Sequence, residues 1–232
     1  MSRHLTCERL PMAKFLRDLD LRVSATSAEE WRWGTSTNFL DTLYFNCLPK
    51  VQTNGTGKVI IEACKVMPST KLEKMIDVLR LNKLFDFEAY FAADKEPRKR
   101  IALDFLQAGL LEVAELRGWD NAPFHEAYKC VLARNFVNYL TWSKPVVSPD
   151  RKYKAQVCCN YDSDKAELFL VVTHRKEVVS KMPVTTVKPG DVWIRCAIGK
   201  LEWPSTNKVQ LSPRANGYDY EAKYDPVSVT VQ

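Results

Sequence analysis

The chain has 232 residues, 46% of them hydrophobic and 27% charged, with 34 Lys or Arg against 28 Asp or Glu. That balance excludes a disordered chain, and no apolar run approaches the roughly 20 residues that a membrane-spanning helix needs. A net charge of +6, spread through every segment, describes a solvated surface and leaves room for a modestly acidic partner.

Residues 1–40 are the least legible. Met12, Phe15, Leu16 and Leu19 fall at helical spacing, which predicts a short helix over 11–21. No uninterrupted apolar core of a secretory signal precedes it, so the cytoplasm is the expected location. Ser27 and Glu30 fit a capping box, but Trp31, Arg32, Trp33 and Gly34 read as an early interruption. Residues 43–51 and 58–66 are β-rich and flank an Asn54-Gly55 turn, so 41–67 is predicted to be a β-hairpin.

The span 69–142 reads as helical. Thr70 and Glu73 make a second capping box, with Leu72, Met75, Ile76 and Leu79 on one face. A helical stretch follows over 84–93. Pro97 then opens a helix that stops at Gly118, and Asn121 and Pro123 open another. From 151 to 224 the pattern changes to period two with turns. Strands are expected over 153–160, 167–173, 177–182, 192–198, 208–212 and 218–223. With no repeat and no Gly/Ser-rich joint, 1–232 is expected to form a single α+β domain. Its helical middle would pack on a largely antiparallel, meander-like C-terminal sheet.

Chemistry-bearing residues do not converge in the sequence. His4, His125 and His174 are scattered and offer neither a metal motif nor a base for a nucleophile. The cysteines number seven, an odd count, and none has C-x-x-C spacing. Cys47, Cys64, Cys130, Cys158 and Cys196 sit in apolar elements, so buried free thiols are read rather than a disulfide framework or a zinc site. None of the eight glycines builds a phosphate loop. Asp162 and Asp164 read as a turn, and Glu112 and Glu115 as a solvated helix stripe. Lys95, Arg98, Lys99 and Arg100 are the sharpest basic cluster, but Asp94 and Glu96 interrupt it and no aromatics alternate with the charges. Trp31, Trp33 and Trp203 are candidate interface anchors, with core packing as the default.

The order of elements, with Trp119-Asp120 after Gly118, residues 153–159 opening the sheet and 199–203 late in it, resembles bacterial immunity proteins of polymorphic or contact-dependent toxin systems. The resemblance spans about 58 to 224. It implies a non-catalytic cytoplasmic protein that neutralises a cognate toxin domain by direct contact, without a cofactor. Such proteins share no fixed binding residues, so no catalytic, cofactor-binding, metal or partner-binding position is assigned. The basic chain suits an acidic or neutral toxin surface. The alternatives are a nucleic-acid-binding accessory protein using the bases at 95–100, and an enzyme of unfamiliar type with a convergent pocket. No membrane partner is expected.

Overall fold

The structure is a computed structural model and is described over residues 14–24, 27–214 and 224–231. His4, the turn at 215–217 and the strand expected over 218–223 lie outside these residues. The chain divides into two compact units, Met1–Ala133 and Arg134–Gln232. With helices and strands in comparable amounts, the α+β class expected from the sequence is what the chain adopts.

The first unit runs β1 (Asp18–Val23), α1 (Ala28–Cys47), β2 (Lys58–Cys64), β3 (Leu72–Met75), β4 (Val78–Leu84), α2 (Phe87–Ala92), α3 (Lys95–Arg117) and α4 (Ala122–Ala133). Among the described residues its sheet has the order β1-β2-β4-β3. Strand β2 pairs in parallel with both β1 and β4, and β3 is antiparallel to β4. Five consecutive residues of β2, Val59 to Ala63, are buried, as a parallel strand covered on both faces requires.

Four secondary-structure expectations fail in this unit. Residues 18–21 of the expected first helix instead belong to strand β1 (Asp18–Val23), because Leu19 and Leu21 are buried in alternation with polar neighbours. The hairpin over 41–67 does not form. Ser27 and Glu30 do make a reciprocal capping box, and the helix it starts continues through Trp33 to Cys47. Trp33 is fully buried against Phe85, Phe87, Tyr90 and Phe105, with ring centroids 5.0–6.4 Å apart. Packing on that scale overrides the weak helix preference of aromatics. Leu40, Leu43 and Tyr44 share the same buried face, and the Tyr44 hydroxyl donates to Gln107 at 2.5 Å and to the Phe124 carbonyl at 3.0 Å. Strand β2 therefore finds its partners in β1 and β4, although Asn54 and Gly55 do adopt the expected positive φ.

The helix expected from the second capping box is instead the β3–β4 hairpin, with Ile76 at φ 56° in its turn. Buried Leu79 and Leu81 alternate with half-exposed Arg80, a period of two that the helical reading missed. The later helices fall as expected. Helix α3 ends at Gly118, φ 65°, and the Trp119 N–H returns to the Ala114 carbonyl at 2.8 Å.

The reading of all cysteines as free thiols is also corrected. Cys47, the last residue of α1, is disulfide-bonded to Cys130 on α4, with a Cα–Cα separation of 5.8 Å. Cysteines 83 residues apart carry no spacing signal; the contact of α1 with α4 brings them together. Cys64, Cys158, Cys159 and Cys196 are free.

In the second unit, β5 (Tyr139–Thr141), β7 (Tyr153–Tyr161), β8 (Ala166–His174) and β9 (Glu177–Val187) lie side by side in that order, and β6 (Val146–Val147) also pairs with β7. All these pairings are antiparallel. A smaller antiparallel sheet takes the order β10 (Lys200–Glu202), β11 (Lys208–Ser212), β12 (Val227–Thr230). Between them, residues expected as a strand over 192–198 form helix α5 (Asp191–Ala197). Ile194 and Ala197, three apart, are buried while Val192 is exposed, which is a helical face and not an alternating one.

Candidate functional site

The residues singled out in the sequence serve mostly structural ends. Arg98 donates to the Tyr90 and Phe91 carbonyls, and Arg100 binds Asp104 at 2.9 Å and the Tyr128 hydroxyl at 2.6 Å. Lys99 is buried beside Glu96. Arg98 thus ties α3 to α2, and Arg100 ties it to α4. Burial works against ionisation of Glu112, yet Lys71 at 2.5 Å and Lys83 at 3.0 Å hold its carboxyl below the ordinary range. Asp162 accepts the Ser163 N–H at 2.7 Å within its turn. The Trp203 indole donates to the Val146 carbonyl at 3.0 Å and its ring stacks on Tyr153 at 6.2 Å. His125 is exposed on α4, and His174 lies 5.2 Å from the Tyr153 ring. Trp31 stays 53% exposed. Among the described residues no three His, Cys, Asp or Glu side chains are placed to hold a metal ion, and no helix is long and apolar enough to cross a membrane.

Two places stand out instead. The first is strand β9, at the end of its sheet. It is hydrogen-bonded to β8 alone among the described strands, so its outer edge has no strand partner among them, although β12 and α5 also pack against it. Arg175 and Lys176, at φ 49° and 75°, make the tight turn that leads into it. Seven of its residues are exposed, among them Val178 at 62%, Val179 at 49% and Met182 at 39%. Apolar side chains on an unpaired strand are what natural edges usually avoid. On the same strand, the Lys181 ammonium lies 4.7 Å from the Tyr139 ring and 4.3 Å from the Phe169 ring.

The second is a crevice of about 430 Å³ in the first unit, lined by the carboxyl ends of β1 and β2 and by Arg80 and Asn82 of β4. Ser24 and Glu62 line it together, 2.8 Å apart from oxygen to oxygen, and Glu62 is buried. The Cys64 thiol on its wall is pushed up, chiefly by burial. Sequence reasoning missed this site because Glu30, Glu62, Glu73 and Arg80 lie on four elements and match no motif.

The chain matches no known protein family, no curated protein and no solved structure.

Proposed function

We propose that the protein is a binding protein that recognises an acidic or neutral protein partner, which adds a strand to the open edge of β9. The role is that of an immunity protein neutralising a toxin domain. The observation that carries the reading is the exposure of Val178, Val179 and Met182 on an unpaired edge. Strand addition draws affinity from main-chain hydrogen bonds and specificity from the side chains that flank them. Exposed apolar groups gathered in one place mark such surfaces. Charge supports the sign of the partner. Residues 134–232 hold fifteen Lys or Arg against ten Asp or Glu, five of the chain's six net positive charges. Arg175, Lys176 and Lys181 stand at the edge itself.

The test is affinity purification of the tagged protein from its native host, beside the Val179→Lys/Met182→Lys variant. One stoichiometric protein that is lost with the variant supports the reading. Co-eluting RNA or DNA, or a protein retained equally by both forms, overturns it. The nucleic-acid outcome has its own structural basis in Tyr139 and Phe169 under Lys181, since aromatic rings beside a cation can stack bases.

A further inference from the structure

Clefts at the carboxyl ends of parallel strands are common small-molecule sites. Strands β1 and β2 are a parallel pair, and the cavity of about 430 Å³ lies at their carboxyl ends. Its volume falls within the range of about 300–1,000 Å³ typical of small-molecule sites.

Arg80 is held apart from the two carboxylates it faces in this crevice. The Glu62 side chain is 6% exposed; its Oε1 accepts from the Ser24 hydroxyl at 2.8 Å, while its Oε2 faces Arg80 Nε at 3.9 Å. Arg80 Nη1 stands 3.8 Å from Glu73 Oε2. Both separations are too long for a hydrogen bond. Arg80 Nε is buried and makes no hydrogen bond among the described residues. A buried donor left in that state carries an uncompensated desolvation cost. Asn82 is buried beside them, donating to the Thr70 carbonyl at 2.8 Å. The Glu30 carboxylate, by contrast, already accepts the Ser27 N–H as part of the capping box.

We propose that this crevice binds a neutral, polyhydroxylated small molecule of monosaccharide size, with one hydroxyl seated between Arg80 and Glu62. An oxygen about 2.8 Å from each partner spans the 3.9 Å gap with ordinary hydrogen-bond lengths. A hydroxyl accepts from Arg80 Nε–H and donates to the Glu62 carboxylate at once. A second hydroxyl bridges Arg80 and Glu73 in the same way. Ligand charge is selected against from both sides. An anion would satisfy Arg80 but meet Glu62 and Glu73, and a cation would satisfy the carboxylates but leave Arg80 Nε unbonded. Val23, Val66 and Pro68 supply an apolar wall for the C–H faces of a sugar ring.

The test uses saturation-transfer NMR on the full chain with D-ribose, D-glucose and myo-inositol as probes. Putrescine and inorganic phosphate serve as charged counter-probes. At least one polyol is expected to bind saturably at millimolar concentration, and its affinity to fall roughly tenfold or more in Glu62→Gln and in Arg80→Met. The charged probes are expected to give no signal. Ser24→Ala, which leaves both gaps intact and removes only a support of Glu62, serves if either variant loses its circular dichroism. It is expected to weaken the same polyol. Absence of saturable polyol binding, binding untouched by the variants, or binding of a charged probe instead would overturn the proposal.

Discussion

Gly109 of α3 lies so close to Ile61 of β2 that a Cβ on it would stand 2.7 Å from Ile61 Cγ2. The helix can approach the central strand at that range because this position has no side chain. Helix propensity alone would favour alanine at position 109 by about 1 kcal/mol. Overpacking opposes it by about 1–3 kcal/mol, and the crowded atoms belong to a fully buried β-branched residue with few ways to yield. Gly109→Ala is therefore expected to destabilise the protein. Ile61→Ala should relieve the crowding, so the double variant should be more stable than the sum of the two single losses. Urea unfolding of the four proteins as a double-mutant cycle checks the sign.

Strand β1 forms the other edge of that sheet, and its Leu21 N–H donates to Asp41 Oδ1 on α1 at 3.0 Å. Burial raises the Asp41 carboxyl well above its usual value of 3.8, against the lowering effect of that N–H, and the nearby Asp20 and Asp18 push it further up. A folded pKa above the unfolded one means that the native state holds the proton more tightly. The resulting stability is present in full below about pH 3.8 and is lost as pH rises through the folded pKa. Asp41→Asn keeps an oxygen for Leu21 and removes the charge, so it should flatten this pH dependence and match or exceed the parent at neutral pH. Asp41→Ala should cost about 1–3 kcal/mol by leaving the Leu21 N–H without an acceptor. Urea midpoints measured across the acid-to-neutral range separate the two effects.

The Cys47–Cys130 bond closes a loop of 83 residues that includes β2, β3, β4, α2 and α3. On the chain-entropy argument a link of that length stabilises the native state by about 4.5 kcal/mol. Reduction, or the Cys47→Ser/Cys130→Ser variant, is expected to lower the urea midpoint by a corresponding amount. Because β5 to β12 lie outside the loop, their amide protection should change less than that of α1 and α4. Hydrogen exchange on the oxidised and reduced protein measures this directly.

What was legible in the sequence was the local part. The existence of β7, β8 and β9 follows from alternation between turns, and the end of α3 follows from Gly118. The first unit was misread wherever tertiary packing decided the outcome. Leu43 and Tyr44 look β-prone locally but complete a helical face formed with Leu40, and Leu72 to Leu79 fit helical spacing while forming two short strands. With β1 hidden in a supposed helix, the parallel β1–β2 pair was invisible, and so was the crevice at its end. The edge at β9 was half visible: its strand could be read, but the absence of a hydrogen-bonded neighbour is a property of the sheet.

Surface substitutions on β9 provide a control for stability. Val179→Lys and Met182→Lys lie on exposed positions, so each is expected to shift stability by no more than about 0.5 kcal/mol. A larger loss in thermal or urea unfolding would show that these side chains belong to the fold and not to an interface.

Hydrogen exchange followed by mass spectrometry, on the free protein and on its complex purified from the native host, tests the central claim most directly. New protection is expected in residues 177–182, where outer-edge amides would gain hydrogen bonds from a partner strand. Unchanged exchange across that stretch, with protection appearing on another surface, would contradict it.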